Sequence, residues 1–245
     1  MSHQSFVVVA AGMLAEARIA RRDPYVRAIA GGGDSAFLEA TLERIVDRNA
    51  VGIVSFGIAG GLAPQVRPGD IIIVSGVAAG GTVWKTDDDW SARLARVLPL
   101  ALRGLLAGSD IPVATAAAKS ALFAATGAIA IDMESHIAAR IAAAYGLPFA
   151  SLRVVADPAS RALPPAALAG LSPGGAINIA GVLKSLARQP AQLPALLGVS
   201  VDARTAMAAL LGSYRTVNSA LGAGFGCPGL DCSEIGARLG VADLR

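Results

Sequence analysis

The 245-residue sequence predicts an α/β fold. Three observations lead there. Short apolar runs rich in β-branched residues recur along the first two thirds of the chain, as in Phe6 to Ala11, Val51 to Phe56, Ile71 to Val77 and Phe149 to Ala156. Between them lie stretches with helical spacing, such as Phe37, Leu38, Leu42, Ile45 and Val46. Glycines, Pro-Gly pairs or acids close most runs. Buried strands alternating with helices call for a sheet covered by helices, because each element must bury its apolar face against the other kind.

In chain order, Phe6 to Ala11 reads as a first buried strand ended by Gly12, and Met13 to Arg22 as a helix. Tyr25 to Ala30 is a second strand, closed by Gly31-Gly32-Gly33. Asp34 or Ser35 caps the helix that follows. Val51 to Phe56 is the third strand, followed by Gly57-Ile58-Ala59-Gly60-Gly61. Arg67-Pro68-Gly69-Asp70 is a turn into the strand Ile71 to Val77. Gly80 to Asp89 reads as irregular, Ser91 to about Ala107 as a helix, Ile111 to Ala116 as a strand, and Lys119 to Thr126 as one or two helical turns. Gly127 to Ile131 is a strand that ends abruptly in Asp132-Met133-Glu134-Ser135. A helix runs on to Tyr145 and stops at Gly146, with Pro148 beyond. Phe149 to Ala156 is the last strand, ended by Asp157-Pro158. Helices are expected near Ile177–Arg188 and Asp202–Tyr214. The chain is expected to form one domain over residues 1–215, with 216–245 a loosely packed C-terminal tail.

Composition narrows the function. Hydrophobic residues make up 54% and charged residues 16%, which excludes disorder as a description of the whole. Apolar stretches are broken by charge, Gly or Pro before the roughly 18–20 residues of a membrane span. The N-terminus lacks a basic leader before its apolar run, so a soluble cytoplasmic protein is expected. Aromatics are only 4% and the net charge is +3, which leaves little material for a nucleic-acid surface. Two cysteines, Cys227 and Cys232, and two histidines, His3 and His136, make neither a zinc site nor a disulfide framework. No metal and no redox cofactor are expected.

The places that can carry chemistry are acidic. Gly31-Gly32-Gly33-Asp34-Ser35-Ala36 has the form of a dinucleotide loop, but the next strand ends Val54-Ser55-Phe56-Gly57 without the acid that would bind ribose. A plain glycine turn explains it better. Asp87-Asp88-Asp89 reads as a solvated helix cap. The small residues after Phe56 let a ligand approach backbone closely. Asp132 is placed to cap a helix, and Glu134 to feel its dipole. Glu134 and Asp157 close two strands separated by one crossover helix, so in a parallel sheet both face one crevice. Glu16, just past the first strand, reaches the same edge. Three carboxylates around a crevice suit acid–base work.

Gly12-Met13…Glu16, Phe56-Gly57-Ile58-Ala59-Gly60-Gly61-Leu62-Ala63-Pro64, Pro68-Gly69-Asp70-Ile71, Asp132-Met133-Glu134-Ser135 and Arg153-Val154-Val155-Ala156-Asp157 together resemble the nucleoside phosphorylase / methylthioadenosine–adenosylhomocysteine nucleosidase family. Arg161-Ala162-Leu163-Pro164-Pro165 and Gln189-Pro190-Ala191-Gln192-Leu193-Pro194 look more narrowly like the hopanoid-associated phosphorylases. The resemblance implies a three-layer αβα sandwich around a central mixed β-sheet. It also implies cleavage of the N-glycosidic bond of a 5′-substituted adenosine, with adenosylhopane the favoured substrate, and assembly as a homodimer or larger oligomer.

By that resemblance Asp157 protonates N7 of the leaving purine. Glu134 holds the ribose hydroxyls and stabilises the cationic sugar, an ionised role that a helix N-terminus favours. Met133 packs on the ribose and Glu16 orients the attacking water. Ile58, Ala59, Gly60, Ile131 and Asp132 form the wall beside base and sugar. The chain departs from the family in having Ile58 where Ser or Thr is common, and Glu16 in a loop where many phosphorylases carry an Arg. Both departures lean towards water as nucleophile, while the subgroup leans towards phosphate as co-substrate, and the choice stays open at this stage. The Ala- and Leu-rich chain after Asp157 is expected to offer an apolar surface to a bulky 5′ group, whose lipid character would allow transient contact with a membrane surface. Ordinary core or subunit packing explains the same composition.

Overall fold

A computed structural model describes residues 4–46, 49–170 and 172–230. His3, Cys232 and the end of the C-terminal tail lie outside the described residues. The elements, in order, are β1 (Phe6–Ala11), α1 (Leu14–Ala20), β2 (Val26–Ala30), α2 (Ser35–Ile45), β3 (Ala50–Gly61), β4 (Ile71–Ala79), β5 (Thr82–Lys85), α3 (Asp88–Val97), β6 (Leu102–Gly108), α4 (Ala116–Thr126), β7 (Ala130–Asp132), α5 (Ser135–Tyr145), β8 (Phe149–Asp157), α6 (Pro165–Ala169), α7 (Ile179–Arg188) and α8 (Leu193–Leu221).

All eight strands form one mixed sheet. Alternation along a strand sends neighbouring side chains to opposite faces, and β1 shows the result. Val7, Val9 and Ala11 join one core with Phe56 of β3 and Leu210 and Tyr214 of α8. Phe6, Val8 and Ala10 join the other, with Leu38 of α2 and Ile137, Ala138 and Ile141 of α5. Helices therefore cover both faces, as the αβα expectation requires.

The sheet curls. Strand β3 pairs in parallel with β1 and β8, while β4 pairs antiparallel with β8 and in parallel with β6. β6 pairs in parallel with β7, and β7 returns antiparallel to the end of β3. β3, β8, β4, β6 and β7 thus close a ring, leaving β2 and β5 as edges. The glycines after Phe56 do not end β3 but carry it to Gly61, because the missing side chains let β7 and β8 both reach that end. Gly60 is the register partner of Ile131 on one side and of Asp157 on the other. The carboxylates after β7 and β8 converge on this shared partner, not, as expected, on the common edge of two parallel strands.

Several expectations are corrected. The helix expected from Ser91 to Ala107 stops at Val97, because Pro99 cannot continue it and disfavours helical backbone at Leu98. Leu102–Gly108 is instead strand β6, which fills the place between β4 and β7. That leaves no partner for the strand expected at Ile111 to Ala116, which is a loop as far as Thr115 with Ile111 71% exposed. It leads into α4, whose first turn is capped by Thr115, accepting from Ala118 N at 3.1 Å. The segment read as irregular contains the edge strand β5, and α8 runs 29 residues, far beyond the helix expected near 202–214.

The start of the expected loose tail is packed. The Phe225 ring lies 5.1 Å from Phe56 and 5.8 Å from Tyr214, and Trp90 Nε1 donates to Phe225 O at 2.9 Å. Cys227 and Leu230 are buried in the same core.

Candidate active site

The site grows from the end of β7. Asp132 Oδ1 accepts from the backbone N–H of Glu134 at 3.2 Å and of Ser135 at 2.9 Å. It thereby organises the first turn of α5, although the N-cap position itself belongs to Glu134. The other Asp132 oxygen meets Arg153 Nε of β8 at 2.6 Å. Arg153 is fully buried. Its guanidinium also donates to Ser55 and Ser135 hydroxyls and to Ile58 O, and stands 3.7 Å from Glu134 Oε2.

Glu16 completes this cluster from α1. Its Oε2 accepts from Gly12 N at 2.8 Å and Met13 N at 2.7 Å, and its Oε1 accepts from Ile58 N at 2.8 Å. The carboxylate therefore ties the β1–α1 loop to β3. Two glycines make room for the acids. A Cβ on Gly57 would stand 2.7 Å from the Glu16 carboxyl carbon and 2.8 Å from Arg153 Nη1, and one on Gly12 would stand 2.9 Å from Glu134 Oε1.

Three acids share one guanidinium, so their charges are not balanced. Burial pushes the Glu134 carboxyl up to about 8, with Arg153 pulling it down and Asp132 and Glu16 pushing it further up. Burial likewise raises Glu16, against Arg153 and its three backbone donors. The expectation that the helix N-terminus keeps Glu134 ionised thus meets a larger opposing effect, because desolvation disfavours the charged form.

Asp157 stands across Gly60 from this cluster. Its partner is Lys119 of α4, a side chain only 1% exposed that ion-pairs with Asp157 Oδ2 and donates to Pro158 O at 3.1 Å and Arg161 O at 3.0 Å. Three acceptors match the three donors of an ammonium. Burial raises the Asp157 pKa and Lys119 opposes the rise.

Glu16, Ile58, Ala59, Gly60, Ile131, Asp132, Met133, Glu134 and Asp157 all line one cavity of about 270 Å³. Its lining also includes apolar Leu163, Leu168, Val199 and Ala203. Sequence reasoning missed Arg153 and Lys119. Each had a signal: Arg153 is the one charge inside the apolar run Phe149 to Ala156, and Lys119 the one charge between Asp110 and Asp132. Among the described residues no cluster of His, Cys, Asp and Glu could hold a metal ion.

The sequence profile of the Phosphorylase superfamily matches residues 32–171, more than half of the chain. The chain belongs to the phosphorylase superfamily. Membership makes it an enzyme that cleaves N-glycosidic bonds. Solved structures share this superfamily fold over nearly their whole length. S-adenosylhomocysteine nucleosidase from Streptococcus pyogenes, in complex with 5-methylthiotubericidin, is 16% identical with a TM-score of 0.62, covering 88% of this chain and 98% of that one. 5′-Methylthioadenosine/S-adenosylhomocysteine nucleosidase from Neisseria meningitidis, in complex with methylthio-immucillin-A, is 16% identical with a TM-score of 0.64, over 88% and 99%. Futalosine hydrolase from Helicobacter pylori is 14% identical with a TM-score of 0.59, over 86% and 97%. No curated protein matches the chain. At these identities the likeness to solved structures is one of fold.

Proposed function

We propose that the enzyme hydrolyses the N-glycosidic bond of a 5′-substituted adenosine and releases adenine, with adenosylhopane, a triterpenoid joined to the 5′ carbon of adenosine, as the favoured substrate. The observation that carries this reading is that Asp157, a register partner of Gly60, and Glu134, three residues beyond its other partner Ile131, line one cavity. A purine lies against the β3 backbone with N7 towards Asp157, and the ribose lies towards Met133 and Glu134. Asp157 gives its proton to N7 as the C1′–N9 bond breaks and its electron pair stays with the base. Water adds to C1′ and yields its proton to Glu16. Sugar hydroxyls and the cation forming at C1′ both favour ionised Glu134, so bound substrate draws that carboxyl towards the state the step needs.

Water is favoured over phosphate by charge. Among the described lining residues the single cation is Lys119, and it is committed to Asp157 and two carbonyls. Arg18 is exposed and does not line the cavity. With that cation committed, the lining offers a phosphate dianion no free counter-charge. Support for a large apolar 5′ group is the lining by Leu163, Leu168, Val199 and Ala203. The smaller 5′ groups of methylthioadenosine or adenosylhomocysteine are the second reading, favoured by the methylthio ligands bound in two of the similar folds. The enzyme is further proposed to work in the cytoplasm as a homodimer or larger assembly.

The test is to incubate the enzyme with adenosylhopane and with methylthioadenosine, each with and without phosphate, and to identify adenine and the sugar product. Adenine with free 5′-substituted ribose, faster from adenosylhopane, is expected. Release that depends on phosphate and gives ribose-1-phosphate overturns hydrolysis. Equal turnover of the two nucleosides overturns the substrate preference, and no adenine from either overturns the reading as a whole.

A further inference from the structure

Helix α7 has no buried residue, which is unusual for a helix of an enzyme whose two other layers are tightly packed. On a helix, residues four apart are neighbours, and that rule sorts α7 cleanly. Ser185 faces inwards, its carbonyl and hydroxyl bound by Gln192 Nε2 at 2.9 and 3.1 Å. Ile179 and Leu183 point outwards, 67% and 60% exposed, and are bordered by exposed Lys184 and Arg188. The first half of α8 carries a second exposed apolar stripe. Leu193, Leu197 and Val201 recur at every fourth residue and are all exposed. Val199 and Ala203, two residues on from Leu197 and Val201 and so on the opposite side of α8, line the cavity, and exposed Ile177, just before Ile179, lines it as well. Ile177 thus brings the exposed apolar residues of α7 to the rim of the cavity.

The charge that this segment itself carries is almost all of one sign. From Pro158 to Leu230 the only acid is Asp202, and Arg161 neutralises it at 2.9 Å. Lys184, Arg188, Arg204 and Arg215 are exposed and form no ion pair among the described residues. A second copy of the same face would set these cations against themselves across a two-fold axis, since such an interface is self-complementary. An anionic lipid surface matches both properties at once. Apolar side chains enter the acyl boundary while long basic side chains reach the headgroups.

We propose that α7 and the first half of α8 dock the enzyme on an anionic bilayer, with the cavity opening beside the lipid. By length and composition α8 could cross a membrane. Its second half is committed to the core through Ala206, Leu210, Tyr214 and Val217, so the helix lies on the surface and does not span it. Docking depends on surface residues alone and stands whatever the 5′ group of the substrate.

The test is sedimentation of the full chain with vesicles of phosphatidylcholine alone or mixed with phosphatidylglycerol. Binding to the anionic vesicles that weakens with salt is expected. The double variants Leu183→Glu/Leu197→Glu and Lys184→Glu/Arg188→Glu should each lose at least about tenfold in affinity. Both should keep wild-type circular dichroism and vesicle-free cleavage of methylthioadenosine, which reports the proposed reaction separately. Absence of binding to anionic vesicles, equal binding to neutral ones, or binding untouched by both variants overturns the proposal. So does a solution dimer that Leu183→Glu/Leu197→Glu dissociates, which would give the face to a second copy.

Discussion

Asp157, the proposed acid, stands between two opposing influences, the burial that keeps its proton on and the Lys119 ammonium that draws it off. Asp157→Asn keeps the shape and removes the proton donor. It should slow adenine release by about 100-fold or more, the range of general acid catalysis, and much less with a nucleoside whose leaving group needs no protonation. Equal losses for the two leaving groups would refute its role. Lys119 touches the acid and two carbonyls, so it acts through Asp157. Lys119→Met removes the charge that lowers the Asp157 pKa, and the alkaline limb of kcat/KM, where Asp157 loses its proton, should move to higher pH. A loss of rate at every pH with the limb unmoved would leave Lys119 a merely structural side chain.

At the level of elements the site depends on how closely strand ends can approach, and glycine sets that limit. Gly57→Ala would drive a methyl group into both the Glu16 carboxyl and the Arg153 guanidinium. A cost of about 1–3 kcal/mol is expected from such overpacking, read as a lower urea midpoint, together with lost activity. An unchanged midpoint would show that β3 yields at that point. The same strand end explains what the sequence made legible. β1 and β8 are buried along their whole length, so their apolar runs announced them, and the acids that terminate β7 and β8 stood out against that background. β6 was hidden because Arg103 and Gly104 interrupt its apolar pattern and its first two residues are exposed, so it passed for a continuing helix. Arg153 and Lys119 were visible as charges in apolar segments. Their partners, 21 and 38 residues away for Asp132 and Asp157, follow only from the ring of strands.

Across the whole molecule, folding gathers Glu16 from the first helix, Glu134 from the middle and Asp157 from the last strand into dry surroundings, and all three carboxyls are raised above their ordinary values. The unfolded chain releases these protons near pH 4–5, whereas the folded chain holds the one on Glu134 to about 8. Between those limits the native state binds more protons than the unfolded state, so stability falls as pH rises. The contribution is fully present below the ordinary carboxylate range and is lost as pH passes the folded value. Thermal unfolding of the ligand-free enzyme should therefore begin at lower temperature at pH 8.5 than at pH 6. The drop should reach at least a few degrees, since about 1 kcal/mol corresponds to roughly 2–4 °C for a chain of this length. Glu134→Gln cannot release that proton and should flatten the dependence, keeping more of its stability at pH 8.5. A midpoint that is constant or rises over this interval, in wild type and variant alike, would show that the carboxyls are ionised in the folded enzyme. The crevice would then need a further cation to balance them.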